Sequence, residues 1–294
     1  GVSVGAPPDG FNQQGQDWSQ PPWHPRRLAA AGYAPYRDML RTILRHAGGV
    51  RVDHILGLFR LWWIPDGNPP SGGAYVRYDH NALIGILALE AQRAGAVVIG
   101  EDLGVFEPVV QDTLRDRGIL GTSILWFEHG PYAPIPPEEY RALCLTAVTT
   151  HDLPPTLGYL AGDHIALRSQ LGLLETGEEA ERARDARDRD AILQLAVDRG
   201  LLTEDAELVN PGTVAALYRL IARSPSILLS VALVDAVGER RIQNQPGTTG
   251  DQYPNWRIPL ADDTGTAVLV DDLDGHPRFT ALIDALTDPP AGMP

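Results

Sequence analysis

The chain has 294 residues, 44% of them hydrophobic and 21% charged, with a formal net charge of −14. This is an ordinary composition for a globular protein, with enough length for a large core in one or two domains. The acidic balance argues against a nucleic-acid-binding or anionic-membrane surface, and no apolar run reaches spanning length, the longest being SILLSVALVDAV at 226–237.

The opening residues 1–35 are rich in Pro, Gly, Gln and aromatics and read as one long loop, with Phe11, Trp18 and Trp23 along it. A helix is predicted over 35–46, with Met39, Leu40, Ile43 and Leu44 on its apolar side. A strand follows at 50–53, then a Pro/Gly-rich excursion and a helix at 80–94. A second strand at 96–100 leads to a helix at 107–117, and a third strand at 122–126 ends in Trp126-Phe127-Glu128. A short helix at 137–144 precedes a fourth strand at 145–150. From 158 to 223 the pattern is helical without strands, and its charged segment at 177–200 reads as a solvated helix. A fifth strand at 226–234 ends at Asp235, followed by the polar loop GERRIQNQPGTTGDQYPNW and a closing helix at 277–286. The lone Cys144 has no partner for an internal disulfide and reads as a small buried apolar residue. No signal-peptide pattern is seen, so a cytoplasmic protein is expected.

Asp53, Glu101 and Asp152 stand at the ends of three of these strand-like runs, each beside further polar groups: Arg51 and His54, Asp102, and His151. Strands alternating with helices point to parallel βαβ units. In a (β/α)8 barrel the C-terminal strand ends converge on the rim that carries the active site. Any one of the three acids has a plain structural reading. A helix cap suits Asp152, and Glu101-Asp102 suits a solvated strand end. Three in succession favour catalysis, since two carboxylates flanking a glycosidic bond suffice to cut or transfer a sugar.

Five strand–helix units fall short of the eight of a closed barrel. The expectation is an α/β fold, a partial (β/α)8 TIM barrel comprising about the last five units. Residues 1–294 would then be the C-terminal portion of one catalytic domain, with 158–224 a helical insertion before the last strand. A smaller doubly wound sheet is the competing fold.

The motifs GAPPDGFNQQGQDW, RVDH (51–54), GEDLG (100–104), THD (150–152) and QNQPGT…NW (243–248, 255–256) occur in that order over most of the chain. Together they resemble the 4-α-glucanotransferase family (amylomaltase, disproportionating enzyme) of the α-amylase clan. The resemblance implies that Asp53 is the nucleophile of a covalent glucosyl-enzyme intermediate and Glu101 the acid/base. Asp152 would hydrogen-bond hydroxyls of the reacting sugar, with Arg51, His54 and His151 completing that subsite. Asn244, Pro246 and Gly247 match a loop covering the groove from one side, and Asp9 and Trp18 lie in the opposing loop. A further aspartate-bearing motif of the clan, after an earlier barrel strand, has no counterpart here.

The chemistry agrees with these roles. Arg51, two residues before Asp53 in a strand, projects to the same face, where a cation would lower the Asp53 pKa; its plain reading is a structural salt bridge. Glu101 must start protonated, so burial or neighbouring negative charge should raise it. His54 and His151 suit hydrogen bonds to sugar hydroxyls or a structural role. Trp126 and Phe127, closing a strand at the expected rim, are read as substrate contacts, and one of Trp62 and Trp63 is given to the core. The expected partners are α-1,4-glucans and maltooligosaccharides, with no nucleic acid and no membrane. No metal-ligand spacing, phosphate loop or dinucleotide fingerprint appears, so no metal and no cofactor are expected. Two alternatives stand beside transfer: an α-glucan hydrolase of the same clan, and a non-catalytic glucan-binding fragment.

Overall fold

A computed structural model of the chain describes residues 1–9, 13–104 and 109–287. In chain order the elements are β1 (Val2–Ala6), β2 (Gln16–Gln20), α1 (Pro25–Ala30), α2 (Ala34–Leu44), β3 (Gly49–Val52), β4 (Arg60–Pro65), β5 (Ala74–Arg77), α3 (His80–Ala94), β6 (Val97–Gly100), α4 (Val109–Asp116), β7 (Gly121–Ile124) and β8 (Cys144–Ala147). There follow α5 (Thr156–Ala161), α6 (Asp163–Gln170), α7 (Glu178–Asp198), α8 (Pro211–Ile221), β9 (Leu228–Ser230), α9 (Leu233–Val237) and α10 (Pro277–Thr287). The described strands form three sheets, ordered β2-β1-β4-β5, β3-β6 and β7-β8-β9, and no closed barrel is seen among the described residues.

The chain divides into two compact units, one of Gly1–Thr122 with Leu143–Leu145, the other of Ser123–Ala142 with the residues from Thr146 onward. In the first unit β3 and β6 are parallel and in register, pairing Arg51 with Ile99 and Val52 with Gly100. A parallel bridge from Ile99 to Leu120 continues the series. Helices bury one face of this β3–β6 layer. Leu40 and Leu44 on α2, Leu83, Leu87 and Ala91 on α3, and Val110 and Leu114 on α4 recur at helical spacing and join Ile55 and Val98 in one core cluster. Each fully buried aliphatic side chain contributes about 1.5–3 kcal/mol by leaving water. Asp79 caps α3 by accepting from the Ala82 N–H at 3.1 Å. Gly100, the last residue of β6, packs so closely that an added Cβ would lie 2.6 Å from the Ile55 side chain.

In the second unit Leu217, Tyr218, Leu220 and Ile221 of α8, with Leu160, Ile192, Ala196 and Val237, are almost fully buried. Tyr218 and Asp235 organise a polar network inside this apolar set. The Asp235 carboxylate accepts from the Thr156 N–H at 2.6 Å, the Thr156 hydroxyl at 2.5 Å and the Tyr218 hydroxyl at 2.8 Å. The Tyr218 oxygen in turn accepts from the Ala232 N–H at 3.0 Å. The network holds the first turn of α5 against α8 and α9, fixing the chain just beyond Asp152.

Several expectations need correction. The opening is not a single loop, because β1 and β2 pair with each other and β1 pairs with β4, whose Trp62 and Trp63 lie opposite Gly5 and Val4. The antiparallel pattern is weak in the sequence because β2 (QDWSQ) is mostly polar and β4 (RLWWIP) runs apolar residues together instead of alternating them. The helix expected at 137–144 is one 3-10 turn, Pro137–Glu139. The third strand ends at Ile124, and Leu125–Phe127 form a 3-10 turn. The fifth strand is three residues long, and Asp235 lies within α9. There Asp235 accepts hydrogen bonds that a residue exposed at a strand end would leave to water. The helix expected from 107 is described from Val109, residues 107 and 108 lying outside the described residues, as does Phe11. The helical run after 158 is seen as expected, and no helix of the described residues is long and apolar enough to cross a membrane.

Replacing Asp235 by Ala strands three buried donors, so Asp235→Ala is expected to lower stability by about 3 kcal/mol or more. Urea unfolding of the purified protein measures this, and a change within about 0.5 kcal/mol, the range of surface substitutions, would show the network to be idle.

Candidate active site

In the first unit Asp53 follows β3 and Glu101 follows β6, one residue beyond the Val52–Gly100 pair. Adjacent strands lie about 4.8 Å apart, so register alone makes these two acids cross-strand neighbours at the C-terminal ends of their strands. Arg51 projects on the same face as Asp53, its Nη1 donating to Asp53 Oδ1 at 2.5 Å. The Asp53 side chain remains largely exposed, at 64%.

Glu101 is fixed by backbone. Its Oε2 accepts from the His54 N–H at 2.8 Å and its Oε1 from the Leu103 N–H at 2.7 Å. The main chain adds two more bonds, Ile55 N–H to Glu101 O and Glu101 N–H to Val52 O, both at 2.9 Å. His54 reaches this geometry in the left-handed region, at φ 45° and ψ 55°, a conformation costing a non-glycine residue about 1–2 kcal/mol. The strain turns two successive N–H groups toward Glu101. Burial pushes the Glu101 carboxyl above its ordinary pKa, opposed by the two backbone bonds and by Arg51 and reinforced by the charge of Asp53. Burial also holds His54 below its ordinary value against the pull of Asp53, which favours the neutral imidazole. Trp18, on β2, meets the His54 ring edge-to-face at 5.2 Å. Asp102 is buried and accepts from the Thr122 N–H at 2.9 Å, tying β6 to the start of β7. Asp9 is exposed.

In the second unit Asp152 is gripped from two sides. Asn244 Nδ2 donates to its Oδ1 at 2.6 Å, and His151 Nε2 lies 3.1 Å from its Oδ2. The Thr150 hydroxyl accepts from the Asp152 N–H at 3.2 Å. The loop carrying Asn244 packs on α5 at Gly158, where an added Cβ would strike the Arg240 carbonyl oxygen. Glu239 anchors the same loop while almost fully buried. Its carboxylate accepts from the Arg240 and Arg241 N–H groups at 2.9 Å and from the Arg241 guanidinium. Burial works to raise this carboxyl, and these bonds outweigh it, so that it lies below its ordinary value. Pro246 is half-buried and Gly247 exposed, the latter at φ 80°.

The two aromatics expected at a strand rim part company. Trp126 is 8% exposed, tilted against Tyr159 at 4.3 Å, whereas Phe127 is 44% exposed. Tyr159 stacks in turn on His164 at 5.0 Å, and His164 Nε2 lies 3.3 Å from Asp185. The sequence had no signal for Asp235 and Glu239 as anchors, because an acid inside an apolar run or beside two arginines looks the same whether exposed or buried.

One unit holds an exposed carboxylate, bonded to Arg51, beside a carboxyl that burial biases toward protonation; the other holds a carboxylate oriented by an amide and an imidazole.

Residues 1–264 match the glycoside hydrolase 77 family model, 4-alpha-glucanotransferase. The chain is 59% identical over 291 residues to the 4-alpha-glucanotransferase of Mycobacterium tuberculosis (strain ATCC 25618 / H37Rv), covering 97% of this chain and 40% of that protein. It is 36% identical over 270 residues to the Haemophilus influenzae 4-alpha-glucanotransferase, covering 88% and 38%. The crystal structure of amylomaltase from Corynebacterium glutamicum superposes with a TM-score of 0.90 at 57% identity, covering 97% of this chain and 42% of that one. The chain thus spans about 40% of the length of the curated relatives it matches. It belongs to the glycoside hydrolase 77 family of 4-α-glucanotransferases.

Proposed function

We propose that the protein transfers segments of α-1,4-glucan between maltooligosaccharides by a retaining double displacement, with Asp53 as nucleophile and Glu101 as acid/base. The observation that carries this reading is the in-register β3–β6 pair, which sets a largely exposed Asp53 beside a Glu101 raised by burial. Retaining enzymes need the two carboxyls about 5–5.5 Å apart, and residues following paired positions of neighbouring parallel strands start from backbones about 4.8 Å apart.

In the first step an Asp53 oxygen attacks the anomeric carbon. The glycosidic bond breaks, and Glu101 gives its proton to the departing 4-oxygen. In the second step the ionised Glu101 takes the proton of an acceptor 4-hydroxyl, whose oxygen displaces Asp53 with net retention and returns Glu101 to its acid form. Arg51 aims the nucleophile through its 2.5 Å bond to Asp53 Oδ1. Asp152 serves as acceptor for sugar hydroxyls, its carboxylate oriented by Asn244 and His151. In this reading Arg51, His54, His151, Asn244, Pro246, Gly247, Asp9, Trp18 and Phe127 contribute to glucan binding. The parallel strands belong to a (β/α)8 barrel in which residues 158–224 are a helical insertion. Transfer prevails over hydrolysis where a sugar acceptor occupies the site in place of water.

Incubating the full-length protein with maltotriose and resolving products by chain length is expected to give glucose plus a ladder of longer maltooligosaccharides. Asp53→Asn and Glu101→Gln should each cut that activity by about 10³-fold or more; glucose and maltose without longer products would identify a hydrolase instead. Asp53→Asn should leave the melting curve nearly unchanged, while Glu101→Gln lowers it because its amide nitrogen cannot accept one of the two backbone N–H bonds. Because Glu101 is raised and must donate a proton, activity is present below its pKa and lost as pH climbs through it. A carbon-13 NMR titration of the Glu101 carboxyl should give a midpoint above the ordinary glutamate value, moving down in Asp53→Asn, where the neighbouring charge is gone. A midpoint at or below the ordinary value contradicts the acid role.

A further inference from the structure

Trp256 holds a backbone conformation that a bulky residue rarely adopts, with φ at 60°. Strain of this kind persists only where the surroundings over-determine it. Here they do. The Trp256 N–H donates to the Gln243 carbonyl at 2.9 Å. Its neighbour Asn255 accepts from the Gln245 N–H at 2.8 Å and donates to the Thr248 hydroxyl at 2.9 Å, while Thr248 donates to the Gln245 carbonyl at 2.7 Å. The Tyr253 hydroxyl closes the base of the loop on the Ile242 carbonyl at 2.6 Å.

The ring so held gains little from packing, since Trp256 is 63% exposed. It is tilted by 38° against His151 at 5.5 Å between centroids, and His151 Nε2 lies 3.1 Å from Asp152 Oδ2. A braced loop therefore keeps a large aromatic face in water, beside an imidazole–carboxylate pair that is itself oriented by Asn244. A pyranose combines faces of C–H groups with an edge of hydroxyls. It seats its face on an aromatic ring and its edge on polar partners, and both are present here.

We propose that Trp256 is the stacking platform for a glucose unit of an α-1,4-glucan, next to the unit whose hydroxyls Asp152 accepts, and so a specificity-determining residue for chain binding. This rests on the glucan reading of the site. The competing structural role, a cover for His151, makes a different prediction for glycine. Glycine accepts the left-handed conformation freely, so Trp256→Gly relieves the backbone while deleting the platform.

The test is calorimetric titration of maltotetraose into full-length protein carrying Asp53→Asn, which prevents turnover, with and without Trp256→Gly or Trp256→Phe. The expected result is binding at least 10-fold weaker for Trp256→Gly with a melting temperature unchanged or raised, and most of the affinity retained by Trp256→Phe. Equal affinity in Trp256→Gly overturns the proposal, as does a fall in melting temperature that accounts for the loss. If the Asp53→Asn parent binds no maltotetraose, while the active protein likewise yields no products, the glucan reading itself fails and the proposal with it.

Discussion

The parallel, in-register pairing of β3 with β6 is the constraint on which the candidate site of the first unit depends. It makes Asp53 and Glu101 neighbours without any side-chain design, because both simply follow the last paired residues, Val52 and Gly100. Everything near them refines that placement. The left-handed His54 spends backbone strain to bring its own N–H and that of Ile55 to Glu101. Gly100 gives up a side chain so that Ile55 can seat beneath the strand ends. A site built on rigid strands with orienting bonds around it is the arrangement that holds reacting groups to sub-ångström tolerance.

Opposed effects set the proton on Glu101. Two backbone N–H donors and Arg51 favour the carboxylate, while burial and the charge of Asp53 favour the acid, and the second pair prevails. The balance suits a group that must give a proton away and take one back. Were burial alone at work, the carboxyl would be a poor base in the second step; were the N–H bonds alone at work, it would be a poor acid in the first. In the second unit the acids without a place in the chemistry serve as anchors. Asp235 gathers α5, α8 and α9, and Glu239 ties down the loop bearing Asn244. Each meets its burial with several donors: those on Glu239 outweigh desolvation, whereas burial still raises Asp235.

Much of this was legible in residue order alone. The apolar runs ending in RVD and GED show strands β3 and β6, and the helix at 80–94 is read to the residue, since Asp79 caps it and Leu83, Leu87 and Ala91 mark its face. The pairing of Arg51 with Asp53 follows from the two-residue period of a strand. Less was legible where sequence separation is long or the signal is weak. The sheet of β1, β2, β4 and β5 has little signal, because β2 is mostly polar and β4 does not alternate. The contact of Asn244 with Asp152 joins residues 92 positions apart and has no local pattern. Trp126 and Phe127, adjacent in sequence, look alike as candidates, yet the 3-10 turn at Leu125–Phe127 buries one and exposes the other.

The role of Asp53 is reached most directly by trapping. Full-length protein carrying Glu101→Gln, supplied with an activated glucosyl fluoride, keeps the proposed nucleophile but lacks the proposed base that would release the intermediate. Mass spectrometry of its proteolytic peptides is predicted to find a glucosyl adduct on the peptide containing Asp53. An adduct on another residue, or none while the same protein binds the donor, would contradict the account.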